Sequence, residues 1–343
     1  MGEIMKQKNN YLINKEIGIE ERKRIKYLDI LRGFLILTVV FGHIIELNDI
    51  LNIIIYTIHM PVFFIISGML NNQKCKNSTL KFIKRRLRVL IIPYVIFCSI
   101  TILFHILINN GITGHIKSEI LYMIIGGGVG PAWFLMALFM AEVIYVILNN
   151  TINKKSIKIV IIILLFVIGL NGNDIYNSFY LLPIYRILIA LGFYSVGVYA
   201  ISYLKRTDIS NFIILLMLLI IIFLGIENGR VDLWALELNN KILYVFNSLI
   251  GSLTLIYLFK NIFNKDIKIL NYLGKNTLII MGTHQILIDI IGVFTNCERY
   301  NRSISFFIFL IVVLLEIPII YLINNYLPWI LGKFNRKERL ELS

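Results

Sequence analysis

The chain has 343 residues, of which 58% are hydrophobic and only 16% charged, and its mean hydropathy is +0.78. Soluble domains carry about 25% charged residues, so the composition excludes an ordinary soluble domain and indicates an integral membrane protein. The formal net charge of +14 would suit a nucleic-acid binder, but its placement along the chain argues for membrane topology instead.

Apolar runs of about 20 residues, enough to cross a bilayer as helices, recur along the whole length. They predict ten spans: 28–47, 50–70, 88–109, 131–149, 157–171, 179–203, 209–226, 241–262, 272–294 and 304–326. The fifth is short. The strict alternation of a membrane barrel is missing, so the expected fold is an all-α membrane protein, a single bundle of about ten transmembrane helices with both termini cytoplasmic. Residues 1–27 read as a charged cytoplasmic tail with no cleavage site, 28–327 as the transmembrane domain, and 328–343 as a basic cytoplasmic tail. In this arrangement 26 of the 34 lysines and arginines fall on the inner side and five on the outer side, while Arg32, Arg186 and Lys275 lie within or at the edge of spans. The positive-inside rule therefore sets the orientation, and the basic charge speaks for anionic lipid rather than nucleic acid. Three cysteines (Cys75 inside, Cys98 in a span, Cys297 outside) give no disulfide framework.

The first span carries Arg32 and His43 eleven residues apart. At about 100° per residue they share one helix face, with His43 roughly 16 Å above Arg32. Asp29 and Glu46 fall near the same line. Ionisable groups at the bilayer centre cost about 2.5–3.5 kcal/mol or more, so this stripe must face protein or water. Counting from the span edges puts His59, Arg186 and His284 in the same outer layer as His43, with Trp133 near the outer interface. Each also has a plain structural reading. An intramembrane histidine commonly bonds a neighbouring helix, and Trp133 suits an aromatic belt. Pro61, two residues after His59, is expected to kink its helix and free backbone carbonyls. Glu142 and Glu316 read as interhelical partners. Between spans two and three, Lys84-Arg85-Arg86-Leu87-Arg88 reads either as positive-inside anchoring or as a phosphate clamp, since guanidinium forks bind phosphate bidentately. The outer segment 110–130 ends in a glycine run and reads as a mobile lid or a tight lead-in to span four.

Together these stretches resemble the acyltransferase family 3 of membrane proteins, in particular its branch similar to fucose 4-O-acetylase. The resemblance is carried by Tyr27-Leu-Asp29-Ile-Leu-Arg32-Gly33, the Arg32-to-His43 spacing, Ile58-His59-Met60-Pro61 through Ser67-Gly68, Arg85-Arg-Leu-Arg88 with Ile92-Pro93-Tyr94, and Pro131-Ala-Trp133. Weaker matches are Phe193-Tyr-Ser-Val-Gly197 and Leu273-Gly274-Lys275-Asn276-Thr277 with His284; position 277 is threonine where serine is frequent. The resemblance implies a multi-pass enzyme of the plasma membrane, bacterial in origin, with Arg32 and His43 catalytic. It also implies that Arg85 and Arg88 bind acetyl-CoA, the acyl donor, and that no metal is needed. The implied acceptor is a polysaccharide or lipid-linked sugar. His43 would act as general base or through an acyl-histidine, and His59, Trp133, Arg186 and His284 would bind the acceptor or steady the oxyanion. The rival expectation is a transporter of glycan or protons, in which the same buried polar groups form a relay.

Overall fold

A computed structural model describes residues 26–70, 79–109, 111–204, 206–261, 267–295 and 299–333. The chain before residue 26, Cys75, Cys297 and the tail from 334 lie outside the described residues. Among the described residues ten helices are long and apolar enough to cross a membrane, and β-structure is confined to two isolated bridges. The protein is an all-α polytopic membrane protein.

Helix α1 (Lys26–Ile44) is the central element, packed by α2 (Ile50–Met69) and by later helices. Next comes one continuous helix, α3 (Thr79–Arg86) and α4 (Ile92–Ile108), joined by a π turn over Leu87–Ile91. Helix α5 (Gly114–Ile124) lies in the outer connection, and α6 (Trp133–Thr151), α7 (Lys155–Ile175), α8 (Leu182–Leu204) and α9 (Asn211–Asn228) follow. The chain closes with α10 (Lys241–Asn261), short α11 (Lys268–Lys275), α12 (Thr277–Thr295) and α13 (Arg302–Tyr326).

Several boundaries differ from the sequence reading. The third span begins at Thr79, not 88, so the basic run is helical rather than loop. Its arginines are amphipathic companions of Phe82 and Leu90, which are buried. The fifth span is 21 residues long, not short; its ends are polar, and counting apolar residues alone missed them. Helix α1 stops at Ile44, which leaves Glu46 exposed and off the polar stripe. At the start of the segment from Pro328, Pro328–Leu331 forms a 3-10 turn that buries Ile330 and Leu331. The outer segment 110–130 is largely helix α5, capped by Thr113. Its glycines at 126, 128 and 130 have φ of +87°, +74° and +52°, a left-handed run that side chains disfavour. The turn is braced by the Tyr94 hydroxyl donating to the Met123 carbonyl at 2.6 Å, so it is a built lead-in to α6.

Among the described residues, two helix pairs meet backbone to backbone on glycines from both partners. A Cβ at Gly68 would overlap the Tyr194 carbonyl, and one at Gly197 the Ile65 carbonyl, so α2 and α8 cross on reciprocal glycines. Gly33 on α1 and Gly274 on α11 repeat the device against Leu270 and Asp29. Small residues allow this approach where no hydrophobic force draws helices together. Helix α2 stays helical through Pro61. The missing proline N–H frees the Thr57 carbonyl, as expected, and the Ser248 hydroxyl of α10 donates to it at 2.9 Å.

The outer end of α1 is tied down by distant parts of the chain. Arg299 donates to the Gly42 and Ile45 carbonyls at 3.0 and 2.8 Å, and Asn52 donates to Gly42 at 2.9 Å. These donors meet the negative end of the helix dipole. Nearby, Arg302 makes two hydrogen bonds of 3.0 Å to Asp49, the cap of α2, and holds its carboxyl below the usual carboxylate range.

Candidate active site

A cavity of about 630 Å³ runs through the bundle beside α1. Arg32 and His43 both line it, so it extends at least roughly 16 Å along the helix axis. Arg85 and Arg86 line its basic end, while Tyr56, His59, Trp133, Asp232, Trp234 and Arg299 line the other. Between them the wall is mainly apolar, with Ile36, Val39, Met60, Leu135 and Leu278 among its residues. Among the described residues no group of three or more His, Cys, Asp or Glu side chains could hold a metal ion.

The guanidinium of Arg32 is oriented from two sides. It donates to the Thr277 hydroxyl at 2.7 Å, and Asp29 sits 3.8 Å away one turn back on α1. Threonine and serine offer the same oxygen, so the residue at 277 keeps the interaction whichever of the two it is.

His43 lies against two other aromatic groups: its ring centroid is 5.3 Å from that of His284 and 6.0 Å from that of Tyr56. Tyr56 in turn is 5.2 Å from His59 and lies under the Arg230 guanidinium at 4.7 Å. The convergence expected from depth is therefore observed for the three histidines. His59 Nδ1 is 2.6 Å from the Ile55 carbonyl and His284 Nδ1 is 2.7 Å from the Ile280 carbonyl. A carbonyl only accepts, so each Nδ1 carries the proton and each Nε2 is a bare acceptor. With both rings neutral in this tautomer, neither Nε2 donates to an oxyanion. Arg299 and Tyr56, both on the cavity wall, are donors near His43.

Arg186 and His284 do not line the cavity. The Arg186 guanidinium, 2% exposed, lies over the rings of Tyr122, Trp133 and Trp234 at 5.5, 5.6 and 5.3 Å and donates to the Gly127 carbonyl at 3.3 Å. It braces two tryptophans of the cavity wall, a cation–π cluster away from water. Arg88 is also absent from the wall, where Arg86 stands instead. The wall positions Phe82, Arg85, Arg86, Val89 and Leu90 form one helical stripe, and Arg88 falls roughly 120° round from it. Arg86 forms a two-pronged ion pair with Glu142 of α6, and Arg85 lies over Phe82 at 5.8 Å. Glu316 accepts from Thr283, an interhelical bond as expected.

The outer loop 229–240 supplies wall residues that spacing did not reveal. Asp232 accepts from Arg230 at 2.9 Å and from the Trp234 backbone at 2.9 Å. Val231, Leu233, Leu236 and Leu238 are buried, so the loop folds inward as an apolar plug. The apolar run from Val231 to Leu238, interrupted only by Asp232 and Glu237, was the available signal.

No curated protein and no solved structure matches the chain. A family model does: the acyltransferase domain of acyltransferase family 3 matches residues 25–325. With the match covering nearly every element that builds the cavity, this chain belongs to acyltransferase family 3 and is a multi-pass membrane acyltransferase.

Proposed function

We propose that the enzyme moves an acetyl group from acetyl-CoA, taken from the cytoplasm, to a hydroxyl of a cell-surface or lipid-linked carbohydrate, with His43 as general base. One observation carries this reading: a single cavity joins the arginines at its basic end to His43 and the tryptophans at the other. The donor set fits a donor of this kind. Arg85 faces the cavity where the positive-inside rule places the cytoplasm, and suits a phosphate. Arg86 is already engaged by Glu142, so Arg85 carries more of that task. The apolar middle suits a thin flexible arm, and the span from Arg32 to His43 is on the order of half the ~30 Å hydrocarbon core. At His43 the ring accepts the hydroxyl proton as the oxygen attacks the thioester carbonyl. The carbon–oxygen bond forms, the carbon–sulfur bond breaks, and the proton passes to the departing thiolate, which restores neutral His43. Trp133 and Trp234 offer flat apolar faces to a sugar ring, and the bare His59 Nε2 accepts from one of its hydroxyls.

Family membership favours transfer over transport. The test uses purified protein, radiolabelled acetyl-CoA and membrane glycolipid. Wild type transfers label, and a folded His43→Ala variant does not. Transfer that survives His43→Ala removes the base. Arg85→Ala weakens donor binding more than acceptor binding, whereas Arg88→Ala leaves it near wild type; unchanged donor affinity in Arg85→Ala removes the phosphate site.

A further inference from the structure

His284 is 0% exposed, on the face of α12 that meets α1, and its Nε2 is buried without a hydrogen-bond partner. Its Nδ1–H is committed to the Ile280 carbonyl at 2.7 Å, so that Nε2 presents a lone pair and nothing else. A buried acceptor left unpaired is costly. His43 makes no hydrogen bond among the described residues, and its ring centroid is 5.3 Å from that of His284, with an interplanar angle of 57°. The two rings make no hydrogen bond with each other as they stand, but a ring nitrogen lies about an ångström out from its centroid, so at this spacing two nitrogens turned toward one another would come within roughly 3 Å, a hydrogen-bond length.

We propose that His284 is a positioning residue: its Nε2 accepts an N–H from His43, and this leaves the other His43 nitrogen unprotonated and directed to the cavity as the base. The inference rests on the reading of His43 as general base. In serine hydrolases a carboxylate orients the base. Here a neutral imidazole does so, and it sets the tautomer without adding a charge inside the membrane, where an unpaired carboxylate is expensive. The groups facing His43 from the packed elements are His284 on α12, Tyr56 and His59 on α2, Arg230 in the α9–α10 loop and Arg299 in the α12–α13 loop. Among the described residues, no carboxylate is a neighbour that acts on the ring. When His43 takes a proton from the acceptor hydroxyl, its second N–H is already held by His284, and it returns the new proton to the thiolate without turning.

The test compares His284→Phe and His284→Gln with wild type and His43→Ala in the acetyl-transfer assay. The expected result for His284→Phe is a fall in kcat of about 100-fold, a donor KM within about twofold, and a displaced acidic limb in the pH profile of kcat/KM. His284→Gln, whose amide oxygen accepts, recovers at least about tenfold of the loss. A His284→Phe enzyme with wild-type kcat and pH profile overturns the proposal. So does a Gln variant as slow as the Phe variant. Should the Phe variant not fold, 15N-histidine NMR of wild type decides: coupling between the two rings across an N–H···N bond supports the proposal, and its absence overturns it. Activity surviving in His43→Ala removes the underlying reading, whereas a dead His43→Ala beside an unaffected His284→Phe removes only this one.

Discussion

Thr277→Val isolates the orientation of Arg32 with almost no change in shape. Threonine and valine are nearly isosteric, and Thr277 is buried while Arg32 reaches the cavity. The substitution removes the hydroxyl that accepts the Arg32 guanidinium at 2.7 Å and leaves the 3.8 Å approach to Asp29 in place. Hydrogen bonds to charged groups contribute about 1.5–3 kcal/mol. The Arg32 side chain is 31% exposed, so cavity water takes up part of the loss and about 1.5–2 kcal/mol is expected, or roughly 10- to 30-fold in kcat/KM. Thr277→Ser, which keeps the oxygen, stays within about threefold of wild type. The assay is transfer of label from acetyl-CoA at subsaturating donor, with thermal unfolding run in parallel to confirm equal folding. Wild-type kcat/KM in Thr277→Val, or a serine variant as impaired as valine, refutes the view that this hydroxyl aims the arginine.

The reciprocal glycine crossing makes Gly197→Ala destabilising by about 1–3 kcal/mol, because the added methyl meets the Ile65 carbonyl; an unchanged melting temperature in micelles contradicts the contact. Glu142→Ala leaves the Arg86 guanidinium partly buried without its carboxylate, a change that costs about 3 kcal/mol in stability. The double variant Arg86→Met, Glu142→Leu is expected to melt close to wild type, and a double variant as unstable as the single one argues against the ion pair as the cause. The Asp49–Arg302 pair is tested by pH. Its carboxyl titrates below its unfolded value near 3.9, so its contribution is present above that pH and fades as pH falls through the folded value. The melting-temperature gap between wild type and Asp49→Asn should be level from pH 7 to about 5 and narrow below about 4; a gap that widens on acidification reverses the sign and rejects the pairing.

The parts of this enzyme legible in its sequence are those set within one helix. Arg32 and His43 share a line because helical periodicity puts them there, and both line the cavity. His59 and His284 stood out because imidazoles are conspicuous among leucines and isoleucines. The motif glycines 33, 68, 197 and 274 were quoted for resemblance, and their physical reason is helix crossing. What stayed hidden depends on loops that fold back across long separations. Arg230 reaches Asn52, and Arg299 reaches Gly42; no local pattern announces either pairing. Arg186 calls for a partner or an anionic ligand; three aromatic rings and the Gly127 carbonyl surround its guanidinium, and its buried Nε keeps no hydrogen-bond partner among the described residues. Which of Arg86 and Arg88 faces the cavity turns on helical register, which a segment taken for loop does not have.

That register hangs on the π turn at Leu87–Ile91. A wide turn of this kind holds one residue more than regular winding needs. Excising a single residue there would leave both flanks nearly in place, whereas rewinding the stretch as regular helix with every residue kept would swivel everything before it by roughly 100° relative to everything after. Arg85 and Arg86 would swing away from the chamber although no side chain had been exchanged. The direction in which Arg85 and Arg86 point is thus set by backbone winding as much as by residue identity.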